Sequence, residues 1–322
     1  MSEPLDDPDG VLDLRVEQLR RESDGVVSVT LADPGGAALP AWTPGAHLDL
    51  VLPGVTRQYS LCGDPGDRYT YRFAVLREER SQGGSRYVHE TLRVGDLVEV
   101  GGPRNRFALV PAERYVFLAG GIGITPLLPM VAAAEAGGAR WSLAYGGRRR
   151  SSMAFLDELA AYGDKVDVVI EAERGPLDLD TLLGTPRPDT AVYCCGPEGL
   201  LAAVERRCAS WPEGSLHLER FAAKPAEAGD FAPDGEFDVV CERAGTSVRI
   251  PAGRSILDCL DEAGIVVPSA CREGVCGSCE TKVLAGAVEH RDSLLTATER
   301  ESGHTMMLCV SRAVSGELVL DL

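Results

Sequence analysis

Four cysteines are spaced as metal-ligating thiolates would be. Cys271, Cys276 and Cys279 follow a C-x4-C-x2-C pattern and Cys309 lies further on, which is the ligand spacing of a plant-type [2Fe-2S] cluster. A compact loop must turn several sulfurs towards one point, and Gly274 and Gly277 let the backbone fold tightly beneath them. Backbone N–H groups of such a loop can bond cluster sulfurs and tune the potential. Zinc also takes four cysteines, but its sites usually pair C-x2-4-C units symmetrically, whereas here three ligands share one loop and the fourth is remote.

Other segments suit anions. Gly120-Gly121-Ile122-Gly123-Ile124-Thr125-Pro126 follows an apolar run and opens a helical stretch, placing N–H groups and a positive helix end where a pyrophosphate would sit. Cys195-Gly196-Pro197 ends another apolar run, where a Gly-Pro pair serves equally well to stop a strand. Gly83-Gly84-Ser85-Arg86 offers turn N–H groups, a hydroxyl and a cation, a set that fits a phosphate or an ordinary solvated loop. Glu171 and Glu173 can accept hydrogen bonds from ribose hydroxyls and would repel a 2′-phosphate. Arg148-Arg149-Arg150 and Arg174 could bind that phosphate, though an arginine run is more often a solvated face.

The elements that must hold these residues differ along the chain. Residues 11 to 108 read as short alternating strands such as Val26–Leu31, His47–Leu52 and Tyr69–Val75, with Gly- and Pro-rich turns, which predicts an antiparallel barrel. From Arg114 onward, strands over Tyr115–Leu118, Trp141–Tyr145, Val166–Ile170 and Ala191–Cys194 alternate with helical stretches, the pattern of an α/β doubly wound parallel sheet. The Ala-, Pro-, Gly- and Asp-rich run from Ala222 to Gly235 reads as a linker. Beyond it, Phe237–Cys241 and Thr246–Ile250 suggest a hairpin and Ile256–Ala263 a short helix. The expected division is a barrel over 1–109, a nucleotide domain over 110–223, a linker over 224–235 and an α+β domain over 236–322. Tyr115 to Ala134 carries no charge, but its glycines and prolines break it into strand, loop and helix start rather than a membrane span.

Residues Gly253 to Leu322 resemble a plant-type ferredoxin (β-grasp) domain through Pro268-Ser-Ala-Cys-Arg-Glu-Gly-Val-Cys-Gly-Ser-Cys279 and Leu308-Cys-Val-Ser311. Arg57-Gln58-Tyr59-Ser60-Leu61 resembles the R-x-Y-S-L flavin motif of the ferredoxin-reductase superfamily, and the loops at Gly120 and Cys195 resemble its G-G-x-G-x-T-P and C-G-P motifs. The order of barrel, nucleotide domain and C-terminal ferredoxin resembles the phthalate dioxygenase reductase family, which includes vanillate demethylase reductases. On an extended strand Arg57 and Tyr59 share one face, so the guanidinium can meet a flavin phosphate while the phenol packs on the flavin. The resemblance implies Ser60 beside flavin N5, Cys195 beside the nicotinamide, and Phe221 covering the flavin, although Phe221 serves equally as core. It further implies FMN rather than FAD. NADH over NADPH follows from family usage together with the two glutamates.

The residue content of 44% hydrophobic and 25% charged is that of globular protein. A net charge of −17 disfavours nucleic acid and suits a basic protein partner, or simply confers solubility. The acidic start Met1-Ser-Glu-Pro-Leu-Asp-Asp lacks a secretion signal, so a cytoplasmic location and reduced thiols are expected. Cys62, Cys194, Cys195, Cys208, Cys241 and Cys259 read by default as small buried hydrophobes. His47, His89, His217, His290 and His304 form no evident metal or triad grouping and read as structural. The functional expectation is a monomeric reductase that takes hydride from NADH and passes single electrons through FMN and the cluster to a Rieske-type oxygenase or O-demethylase. The competing readings are a reductase for a cytochrome P450 and a redox-sensing module without turnover.

Overall fold

A computed structural model describes residues 10–79, 81, 83–224, 231, 234–314 and 316–322, so the expected linker falls largely outside the described residues. Two compact units emerge, Met1–Glu219 and Arg220–Leu322.

The first unit begins with a six-stranded antiparallel sheet. Val11–Ser23 pairs on one side with Val26–Ala32 and then Thr70–Leu76; on the other side follow Leu97–Asn105, Ala46–Leu52 and Val55–Ser60. A bridge between Leu61 and Phe73 joins its two ends, closing the sheet as a barrel. Alternation fills the interior with Val16, Val29, Leu31, Leu48, Leu50 and Phe73, each at most 1% exposed. The first hairpin turns on Asp24-Gly25, with Gly25 at φ 74, a left-handed conformation that glycine adopts without steric cost.

The same unit continues into a five-stranded parallel sheet ordered Leu216–Glu219, Thr190–Cys195, Arg114–Gly120, Arg140–Gly147, Val166–Ile170. Its central strand is buried on both faces, which parallel pairing with helical crossovers demands. Phe117 and Ala119 pack with Leu127, Met130 and Val131 of the helix Leu127–Ala136. Val116 and Leu118 face the other way, towards Leu201 and Val204 of the helix Glu198–Cys208. Helices therefore cover both sides, as a doubly wound sheet requires. The uncharged stretch Tyr115–Ala134 resolves into a strand, the 3₁₀ turn Gly121–Ile124 and a helix. Among the described residues no helix is long and apolar enough to cross a membrane.

In the second unit a five-stranded sheet runs Thr246–Ile250, Phe237–Cys241, Glu317–Leu320, Glu280–Ala285, Thr305–Met307. The helix Ile256–Glu262 starts where the Ser255 side chain accepts from the Asp258 N–H, a capping bond worth about 1 kcal/mol. Its Ile256, Leu257 and Leu260 pack with Val239, Ile250 and Leu318 in one core.

Candidate cofactor sites

The parallel sheet reverses its winding at Arg114–Gly120: the chain steps to Arg140–Gly147 and Val166–Ile170 on one side, then returns to Thr190–Cys195 on the other. Ligands of such sheets bind at the carboxyl ends of the two strands flanking this reversal. There the expected loops meet. A Cβ on Gly123 would lie 2.2 Å from the Cys195 carbonyl oxygen, and one on Gly120 would lie 2.7 Å from Pro197 Cδ. Gly196 in turn has Gly120 Cα 3.0 Å from its own Cβ position. Only glycines allow this approach of two backbones. Gly121, at φ 56, bends the loop, and the Thr125 hydroxyl donates to the Ile122 carbonyl at 3.0 Å just before Pro126 caps the helix. A partly buried glycine loop at the head of a helix on a sheet's carboxyl edge fits a dinucleotide pyrophosphate.

The flavin motif forms the strand Val55–Ser60 and its end. Tyr59 stacks on Phe73 with ring centres 5.2 Å apart, and burial pushes its hydroxyl up to about 12. Gly84, the first residue of the helix Gly84–Glu90, packs against this strand so closely that a Cβ would stand 2.6 Å from Arg57 Cγ and 3.3 Å from the Tyr59 hydroxyl. The fold thus gathers Arg57 and the Gly83-Gly84 turn, expected at the flavin phosphate, with Tyr59, whose phenol is expected to pack on the flavin. Ser85 is buried, donating to the Ser81 hydroxyl at 3.0 Å and accepting from the Glu78 N–H at 3.2 Å. Gln58 turns to the other face, where its amide donates to Asp49 at 2.6 Å.

One residue that sequence reasoning did not single out joins the two halves. Glu219 ends the edge strand of the parallel sheet. Its Oε2 accepts from the Ser60 hydroxyl at 3.2 Å and lies 3.9 Å from Cys195 Sγ. Desolvation pushes the Glu219 carboxyl up to about 8 against the two hydrogen bonds, which favour its charged form. Burial, reinforced by that carboxyl, pushes the Cys195 thiol well up, so it stays neutral and is no nucleophile. Ser60 and Cys195, expected beside flavin N5 and the nicotinamide, therefore share one carboxyl oxygen.

The remaining expected residues are more peripheral. Arg148, Arg149 and Arg150 are exposed beyond the strand Arg140–Gly147. Glu171 and Glu173 are exposed in the short helix that follows Val166–Ile170. Arg174 donates to Asp167 at 2.6 Å. Phe221 is 47% exposed, which removes the simple core reading for it.

In the second unit the four cysteines converge. Cys271 is held far below the usual thiol range by hydrogen bonds from Cys276 and Cys309, and Cys279 is lowered by Cys309. In turn Cys276 is raised by Cys271, and Cys309 by Cys271 and Cys279, so the four side chains neighbour one another. Among the described residues no three His, Cys, Asp or Glu side chains group as a single ion would need. The C-x4-C-x2-C spacing with a remote fourth cysteine is what fits a two-iron centre. The N–H groups of Glu273 and Ser278 point to Cys271 and Cys276 sulfurs at 3.3 and 3.4 Å. Gly274 and Gly277 have φ of 72 and 79, and a Cβ on Gly274 would stand 2.6 Å from Val310. Arg272 ties the loop to the helix Ile256–Glu262 through Asp258 at 2.6 Å and Asp261 at 2.8 Å. Cys276, Cys279 and Cys309 are buried, as a thiolate set shielded from solvent should be.

Comparison with known proteins bears on the family and the fold. Residues 239–314 match the family described as the 2Fe-2S iron-sulfur cluster binding domain. The chain is 46% identical to phenoxybenzoate dioxygenase subunit beta of Ectopseudomonas oleovorans over 312 residues, covering 96% of this chain and 97% of that one. It is 41% identical to phthalate dioxygenase reductase of Burkholderia cepacia over 321 residues, covering 98% of each. Among solved structures, an intact type IV self-sufficient cytochrome P450 monooxygenase matches with a TM-score of 0.91 at 43% identity. That match covers all of this chain and 43% of the other, so the chain spans less than half of that protein's length.

Proposed function

The chain belongs to the phthalate dioxygenase reductase family of oxygenase reductase components, and from this premise we propose that it carries electrons from NADH through FMN and a [2Fe-2S] cluster to a partner Rieske-type oxygenase or O-demethylase. It is an oxidoreductase that works through a flavin, a nicotinamide nucleotide and an iron-sulfur centre. The observation that carries the reading is the meeting of Ser60, from the flavin-motif strand, with Cys195, from the nucleotide crevice, at Glu219 Oε2. Donor and acceptor sites of a hydride transfer must be adjacent, and this contact supports assigning them to Ser60 and Cys195.

When bound, flavin and cluster supply the conversion of a hydride's electron pair into single electrons. The protein's residues hold the partners in place. Arg57, Tyr59 and Gly83 to Ser85 would retain the flavin, and Gly120, Gly121, Gly123, Thr125 and Pro126 the nucleotide pyrophosphate. Cys271, Cys276, Cys279 and Cys309 would ligate the iron. FMN rather than FAD rests on the family resemblance. NADH rather than NADPH is supported by Glu171 and Glu173 beyond the third parallel strand and by the engagement of Arg174 with Asp167. We place the domain limits at 1–109, 110–223 and 236–322, with 224–235 as linker, and take the protein to be a cytoplasmic monomer. A cytochrome P450 as acceptor is the second reading, favoured by the likeness to the self-sufficient monooxygenase.

Anaerobic titration of purified protein decides the central claim. NADH should bleach flavin and cluster absorbance at lower concentration than NADPH, and the extracted flavin should have the mass of FMN. No bleaching by either nucleotide overturns the enzyme reading. Electron delivery to a Rieske oxygenase and to a P450, compared side by side, separates the two acceptors.

A further inference from the structure

Resting on the hydride-transfer reading above, we infer that Arg72 is a positioning residue that sets the spacing between the flavin-motif strand and the nucleotide sheet. Arg72 lies in the barrel strand Thr70–Leu76. Its Nη1 donates to Glu158 Oε1 at 2.8 Å and its Nη2 to Glu158 Oε2 at 2.9 Å, a forked pair whose two bonds fix direction as well as distance. Nη2 also donates to the Cys62 carbonyl at 2.7 Å, two residues past Ser60. The Cys62 N–H returns to the Arg72 carbonyl at 2.7 Å, so backbone and side chain both tie Arg72 to the end of the flavin motif.

The other end of the fork is equally fixed. Glu158 lies in the helix Leu156–Ala160, which starts after Phe155. Phe155 is 3% exposed and holds φ 62, a left-handed conformation that non-glycine residues adopt only where their surroundings impose it. Its ring lies beneath the same guanidinium, with Arg72 Cζ 5.4 Å from the ring centre. The segment is anchored to the strand Arg140–Gly147. The Ala154 N–H donates to the Tyr145 hydroxyl at 3.1 Å, and Met153 packs so tightly on Gly147 that a Cβ there would stand 2.4 Å from its Cγ. One guanidinium thus spans from the strand ending at Ser60 to the sheet that carries the nucleotide crevice.

Stability is not its main contribution. The side chains of Arg72 and Glu158 are 25% and 39% exposed, and partly solvated ion pairs add little to folding. Another bond, from the Asp24 N–H to the Ser151 carbonyl at 2.7 Å, also links the barrel to this segment, so the unit stays assembled without the fork. What a planar fork supplies and a point charge does not is orientation.

The test is stopped-flow reduction of the holoprotein. Arg72→Met and Glu158→Gln should each slow flavin bleaching at saturating NADH by about tenfold, the scale of a small misplacement of reacting atoms, while KM for NADH, flavin content and cluster absorbance hold. Arg72→Lys should restore little of the rate, because an ammonium cannot fork. Glu158→Gln, on the more exposed side of the pair, carries the test without disturbing the barrel. Wild-type bleaching rates in both Arg72→Met and Glu158→Gln overturn the inference and leave the reductase reading intact. A wild-type protein that NADH does not bleach overturns both together.

Discussion

The Ser60 hydroxyl donates to Glu219 Oε2 at 3.2 Å, joining a barrel strand to the last strand of the parallel sheet across 159 positions of chain. The same oxygen lies 3.9 Å from Cys195 Sγ. With its carboxyl pushed up to about 8 by desolvation, Glu219 is mainly neutral at pH 7. Where Ser60 faces the flavin, as proposed, a neutral carboxyl there would leave that side of the crevice without a fixed negative charge to oppose an electron-rich flavin.

Glu219→Gln is expected to flatten two pH profiles. Between its ordinary value of 4.5 and about 8, the folded protein keeps a proton that the unfolded chain has released, so this group makes stability fall as pH rises through that window. The wild-type thermal midpoint should therefore drop relative to that of Glu219→Gln from about pH 5 to pH 8. NADH–ferricyanide activity of the wild type should also decline above about pH 8 as the carboxyl ionises, and the variant should not follow. Parallel profiles for both proteins would assign the pH response to another group.

Arg57→Ala is expected to loosen the flavin. Gly84 packs on the aliphatic part of Arg57, whose Nη1 donates to the Thr56 carbonyl at 2.9 Å, beside the glycine turn expected to hold the phosphate. Losing a hydrogen bond to a charged group costs about 1.5–3 kcal/mol, so affinity should fall about tenfold or more. Flavin content after gel filtration is the measurement, and an unchanged ratio would remove Arg57 from the phosphate site.

Local patterns in the sequence and long-range contacts differ sharply in how visible they are. The cysteine spacing, the Gly120 loop and the alternating strands are each written within a few adjacent residues, and each element forms where periodicity and turn residues place it. Glu219 is different. In Leu216-His-Leu-Glu-Arg-Phe it is one acid at the end of a short strand, and only chain folding brings it to Ser60 and Cys195. The Arg72–Glu158 fork spans 86 positions and leaves no local trace either. Gln58 shows a further limit: strand alternation puts it opposite Arg57 and Tyr59, but not that Asp49 waits on the neighbouring strand.

Gly123→Ala should weaken nucleotide binding specifically. Its new Cβ would stand 2.2 Å from the Cys195 carbonyl oxygen, so the Cys195-Gly196-Pro197 loop must move. KM for NADH is expected to rise about tenfold, in line with the loss of a well-placed contact, while flavin and iron contents hold. Gly138→Ala, outside the loop, is the control: nothing lies within 4 Å of its Cβ, and its φ of 69 adds only a left-handed backbone cost of about 1–2 kcal/mol. An equal rise in KM for both variants would mean that backbone strain, not loop packing, governs the site.

Cys276→Ser separates the two units chemically. Cys276 is buried beside Cys271 and takes the Ser278 N–H at 3.4 Å, so a hydroxyl there removes a soft thiolate from the iron pair without opening the loop. Iron content and cluster absorbance should fall to background, whereas NADH–ferricyanide activity, which needs only the flavin and nucleotide residues of Met1–Glu219, should persist. A cluster binds only the folded ferredoxin unit, so its loss should also lower the thermal midpoint of that unit alone. Loss of ferricyanide activity in a folded variant would mean that the flavin site depends on the cluster. Zinc in place of iron in the wild-type protein would undo the cluster assignment itself.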